Sequence, residues 1–194
     1  MRFLDESAQL AMPALESSSS YSLYAGSDLR RMVRKILLAD RNSTSEVSGI
    51  DGEESEEAIE FRRGLEYSLD NDVVDLGNEN STDFHVRSWL RKSPVMVQIQ
   101  FGKVAAASQD NPKRLTGMLS VLSHLDREAL HPMSALFVQS CLSFVWPDVK
   151  EYAIGVLEHW GDSDLIVSTL KYREVTPQWL DDYRKQVLSE HEGS

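Results

Sequence analysis

A single cysteine, Cys141, stands in this chain, which excludes an intramolecular disulfide framework. It lies in the apolar run from Leu136 to Leu142 and is expected to be a buried thiol in a reducing compartment. Basic charge is also scarce: 20 Lys and Arg against 31 Asp and Glu leave a formal net charge of −11. Phosphate backbones and anionic lipid surfaces repel such a chain, so neither direct nucleic-acid binding nor membrane binding is expected. No apolar stretch is long enough to span a bilayer, and Asp5 and Glu6 interrupt the first residues, so the reading is a cytoplasmic protein without a secretory signal. Phosphate-binding Gly-rich loops, His-Glu-x-x-His, Cys-x-x-Cys and Gly-x-Ser-x-Gly are all missing. The expectation is a non-enzymatic protein that needs no cofactor and no metal.

What is present favours helices. The 194 residues, 41% of them hydrophobic, suffice for one domain with a substantial core plus some unstructured sequence. Residues 1–27, with the serine run Ser17 to Ser20 and no sustained periodicity, read as a flexible N-terminal arm, and residues 28–194 as a single helical domain. Asp28 can cap a helix carrying Leu29, Met32, Val33, Ile36 and Leu37 on one face and Arg30, Arg31, Arg34 and Lys35 on the other. A polar loop follows over 41–53, then a helix with Ala58, Phe61, Leu65 and Leu69, then a loop to Thr82. The segment from Asp83 to Lys92 carries Phe84, Val86, Trp89 and Leu90. In residues 93–108, Val95, Val97, Ile99 and Phe101 alternate as a strand would; Pro94 at a first helical position and Ala105 to Ala107 favour a helix, which is the reading adopted. Pro112 opens a helix with Leu115, Met118, Leu119 and Leu122, and Pro132 another with Met133, Leu136, Phe137, Cys141 and Phe144. A short helix from Asp164 to Leu170 precedes a last one opened by Pro177, with Trp179, Leu180, Tyr183 and Val187. The fold class is all-α, an irregular stack of antiparallel helices.

The helix after Pro147 is the clearest. Val149, Tyr152, Ala153, Val156, Leu157 and Trp160 recur on one helical face, and Gly161 supplies the stop. The pattern Asp148-Val149-Lys150-x-x-Ala153-Ile154-x-x-Leu157, followed by Gly161-Asp162, resembles the second helix of a HEAT repeat, with the match running from His131 to Tyr172. The resemblance implies HEAT-like helical hairpins in residues 112–190, stacked into a curved scaffold that binds other proteins.

Acidic charge is concentrated. Between Asp51 and Glu79 there are eleven acidic residues against two basic ones. Glu53, Glu54, Glu56, Glu57, Glu60, Asp70, Asp72 and Asp75 are therefore candidates for docking a protein partner with a basic surface, as an inhibitor or immunity-type protein does. The alternative is a solvated face with no partner. Trp146 and Trp179, each beside a proline, are candidate aromatic anchors. Two other classes compete: an enzyme with a cleft between helices, or a structural subunit of a larger helical assembly. For the enzyme, His124, Asp126, Glu128 and His131 form the best cluster, while His159 and the pair Glu158 and Asp162 read as residues of a helix end.

Overall fold

The computed structural model describes residues 54–74 and 77–192. The arm 1–27, the basic helix expected from Asp28, the loop 41–53 with Glu53, and Asp75 lie outside the described residues. Among the described residues there are eight α-helices, one 3-10 helix and no strand, so the all-α reading holds. In chain order the helices are α1 (Glu56–Asn71), α2 (Ser81–Leu90), α3 (Pro94–Ala107), α4 (Pro112–Ser123), α5 (Met133–Cys141), α6 (Pro147–Trp160), α7 (Ser163–Leu170) and α8 (Gln178–His191), with the 3-10 helix at Arg127–Leu130.

Local chemistry sets most of the helix starts. Ser55 caps α1 by accepting from the Ala58 amide, and Glu56 and Glu57 in the first turn complement the helix dipole. Asn80 and Asp83 form a reciprocal capping box at α2. Asn111 caps α4, and Asp162 caps α7 by accepting from the Leu165 amide at 2.8 Å. Gly161 ends α6 at φ +63°, a left-handed conformation that a side chain would strain.

The ambiguous segment is helix α3. Val97, Phe101, Val104 and Ala105 are buried at helical spacing, whereas Val95 is 54% exposed and Ile99 only partly buried. The strand-like alternation is thus broken by burial, and the apolar face with period 3.6 decides the element. The helix expected from Pro132 begins one residue later and stops at Cys141. Phe144 therefore falls in the following turn, where it is nevertheless buried against Trp146 with 5.6 Å between ring centroids. Asp126 precedes and Glu128 lies within the short 3-10 helix.

One continuous apolar cluster runs through all eight helices. Helix α4 lies along α6 in the most extensive pairing, with α1, α2 and α5 also packed on α4, and α5, α7 and α8 on α6. Two glycines permit close approach. A Cβ at Gly117 would lie 2.7 Å from Leu69 Cδ2, and one at Gly64 would lie 2.3 Å from His85 Cε1. The His85 ring has little room to retreat, since it stacks on Phe61 at 5.3 Å between centroids and its Nε2 hydrogen-bonds the Phe61 carbonyl at 2.9 Å.

Gly64→Ala is expected to destabilise the protein by about 1–3 kcal/mol, the range typical of overpacking, even though alanine favours an isolated helix by about 1 kcal/mol. In a His85→Ala background the clash is gone, and the same substitution should become neutral or stabilising. Urea unfolding of the four proteins of this cycle checks both signs; additive effects would rule out the clash.

Candidate functional site

The acidic region separates into residues used inside the fold and residues left facing solvent. Glu54 pairs with Arg62 at 2.7 Å and with Lys103 of α3 at 2.6 Å. Asp70 takes a two-pronged contact from Arg114 of α4, at 2.7 Å from Nε and 2.6 Å from Nη2. Asp72 accepts from the Ser81 hydroxyl and from the Thr82 amide and hydroxyl, all at 2.8 Å, and so closes the α1–α2 connection. By contrast Glu56, Glu57 and Glu60 are exposed on α1 and form no ion pair among the described residues. Glu53 and Asp75 lie outside the described residues.

Aromatic exposure was only partly legible. Trp179 at the start of α8 is 49% exposed, while Trp146 before α6 is partly buried against the core. Sequence reasoning missed three more exposed rings: Tyr172 after α7 at 89%, and two on the α1–α2 hairpin that carries Glu56, Glu57 and Glu60, Tyr67 at 71% and Phe84 at 62%. Tyr67 follows Glu56, Glu60 and Arg63 along the solvent stripe of α1, a spacing that identifies it once the buried stripe of Phe61, Leu65 and Leu69 is known.

A second feature lies at the other end of α2. An open cleft of about 370 Å³ is lined by Arg87, Leu90, Arg91, His124, Leu125, Asp126 and Ala129. Beneath it, the Asp83 carboxylate is buried and meets His124 Nδ1 at 3.0 Å. The other Asp83 oxygen accepts from the Asn80 amide at 2.8 Å as part of the capping box. Arg87 donates at 2.5 Å to the His124 carbonyl and at 2.6 Å to Glu79. The buried carboxylate thereby orients the imidazole, and the arginine holds its backbone. The signal Asn80-x-x-Asp83 marks a capping box in the sequence, but nothing local announces the partner forty-one positions on.

The other members of the sequence-derived histidine cluster do not join this arrangement. His131 is exposed and does not line the cleft; its carbonyl accepts from Gln98 at 2.6 Å. No group of three or more His, Cys, Asp or Glu side chains able to hold a metal ion occurs among the described residues. His159 is exposed in the last turn of α6. Glu158 accepts from the Tyr183 hydroxyl, and Asp162 caps α7 and pairs with Arg127. Cys141 is buried, and burial pushes its thiol well above the ordinary range.

The paired carboxylates carry a pH signature. The Lys103 hydrogen bond chiefly, opposed in part by burial, holds Glu54 below its usual range, and the charges of Lys103 and Arg62 add to it. The Arg114 hydrogen bond does the same for Asp70. For Asp72 burial is the largest influence and acts upward, but the Ser81 and Thr82 hydrogen bonds together outweigh it and the net direction is down. Carboxyls depressed in the folded state stabilise it fully above the unfolded values of about 3.9–4.3, and that contribution is lost as pH falls through the folded values. The urea midpoint should therefore drop on going from pH 6 to pH 3, and Glu54→Gln and Asp70→Asn should each make that drop shallower. An unchanged slope in both variants would show that these pairs do not couple folding to protons.

No protein-family model matches this chain, and no curated protein or solved structure matches it either.

Proposed function

We propose that this chain is a non-enzymatic protein-interaction domain that docks a partner with a basic surface through the outer face of the α1–α2 hairpin. One observation carries the reading: Glu56, Glu57 and Glu60 are exposed with no intrachain ion pair among the described residues, on the hairpin that also exposes Tyr67 and Phe84. Carboxylates neutralised inside the fold contribute little field to a partner; unpaired ones steer and register it. Exposed aromatic rings on the same hairpin supply area that becomes buried on contact. The docking face is narrower than the acidic segment, because Glu54, Asp70 and Asp72 are committed to Lys103, Arg114 and the start of α2. An inhibitor or immunity-type role, in which the acidic face occludes a basic cleft, is the specific form of this proposal. A HEAT-like scaffold in residues 112–190 belongs to the same proposal; the side-by-side packing of α4 and α6 supports it.

The triple variant Glu56→Lys/Glu57→Lys/Glu60→Lys breaks no ion pair among the described residues; its lysines oppose the dipole at the start of α1, so it should melt somewhat below the parent and is compared with it at a temperature where both are folded. Capture from a lysate of the source cell should retain a basic partner on the parent that the variant does not hold. With that partner purified, the association rate of the variant should be lower by about tenfold or more at low salt, and the two proteins should converge near 1 M salt, where the Debye length is about 3 Å. Equal rates at low salt would remove the acidic face from the mechanism. A separate Tyr67→Ala/Phe84→Ala variant should raise the dissociation rate instead.

A further inference from the structure

The cleft between α2 and the α4 to 3-10 turn is independent of the docking face, since none of Glu56, Glu57, Glu60, Tyr67 or Phe84 lines it. At about 370 Å³ it is at the small end of the range for ligand sites, roughly 300–1,000 Å³. Its wall is apolar, formed by Leu90, Leu125 and Ala129. Its inner polar groups already have partners: Arg87 pairs with Glu79, and His124 Nδ1 meets the buried Asp83. Two charges of opposite sign remain. Arg91 and Asp126 both line the cleft and are exposed, yet neither forms an ion pair or a side-chain hydrogen bond with another described residue, and they do not reach each other.

We propose that this cleft binds a small zwitterion of the amino-acid class, its carboxylate on Arg91, its ammonium on Asp126 and its side chain against Leu90, Leu125 and Ala129. The guanidinium fork matches a carboxylate with two parallel hydrogen bonds, and an aspartate accepts several from an ammonium. A ligand with only a negative charge meets Asp126 unfavourably, and one with only a positive charge meets Arg91 unfavourably. The ligand that satisfies both carries both signs. The paired Arg87 and His124 hold the cleft in shape, so that little ordering accompanies binding.

The test uses the full chain labelled with 15N, titrated with the common L-amino acids, and reads the amides of Leu90, Leu125 and Ala129. Saturable shifts are expected with at least one aliphatic amino acid. For leucine as that ligand, 4-methylpentanoate, which lacks the ammonium, and 3-methylbutylamine, which lacks the carboxylate, should each bind about tenfold or more weakly, the factor that 1.4 kcal/mol produces. Arg91→Gln and Asp126→Asn, both at exposed positions, should retain the parent's melting curve and lose the leucine response. No saturable shift with any amino acid would overturn the proposal. So would affinity for either single-charge analogue equal to that for leucine, or an undiminished response in either variant. None of these results bears on the association rate of the Glu56/Glu57/Glu60 variant, so the two readings fail separately.

Discussion

Helix α4 has no solvent face along most of its length, and the other helices are arranged around that fact. Residues from Leu115 through Ser123 are all buried. A helix in that position must present apolar or small side chains all round and satisfy its hydroxyls internally. Thr116 donates to the Pro112 and Lys113 carbonyls, and Ser123 to that of Ser120, so the polar groups return to the backbone of the same helix. The small residue Gly117 lets Leu69 of α1 approach, and α6 covers another side. A change of even one methylene along this helix is felt by several neighbours at once, because close-packed interiors relax only in part.

The same constraint orders the polar surface. Because α1 and α2 lean on α4, their charged ends come within reach of partners far along the chain: Asp70 meets Arg114, Asp83 meets His124, and Glu54 meets Lys103 of α3. At the other end of the molecule Arg184 is buried, donating to Asp181 at 2.7 Å and to the Leu170 carbonyl at 2.8 Å, which ties α8 to the end of α7. These contacts sort the acidic residues into two populations. One is bound to cations or amides and serves the fold; the other, on the outer stripe of α1, forms no ion pair with a described residue. Net charge alone does not make that division, since both populations contribute equally to it.

Much of the fold was legible where apolar spacing and helix punctuation agreed. The α6 stripe of Val149, Ala153, Val156 and Leu157 is fully buried, and Gly161 ends it in the left-handed conformation expected of glycine there. The α4 set of Leu115, Met118, Leu119 and Leu122 is equally buried. Reading failed where one side chain had two plausible roles. Phe84 and Val95 looked like members of an apolar face and are exposed; Phe144 looked helical and packs from a turn. Of the candidate site, the free glutamates were named together with the paired ones. The His124 partner was sought among Asp126, Glu128 and His131 nearby, when it is Asp83 on another helix.

The sequence by itself determined how strongly the chain is charged and, over the described residues, which segments are α-helical, most of their approximate starts and stops and, for α1, α4 and α6, which stripe turns inward. These depend on interactions over about one turn, between residues three or four positions apart, and are written in order along the chain. Only the tertiary structure decided which charges are consumed and which remain. Whether Lys103 reaches Glu54, Arg114 meets Asp70 or His124 meets a carboxylate depends on pairs forty or more positions apart that come together when α1 and α2 close on α3 and α4. Those distances follow from how whole helices pack, and no local pattern encodes them.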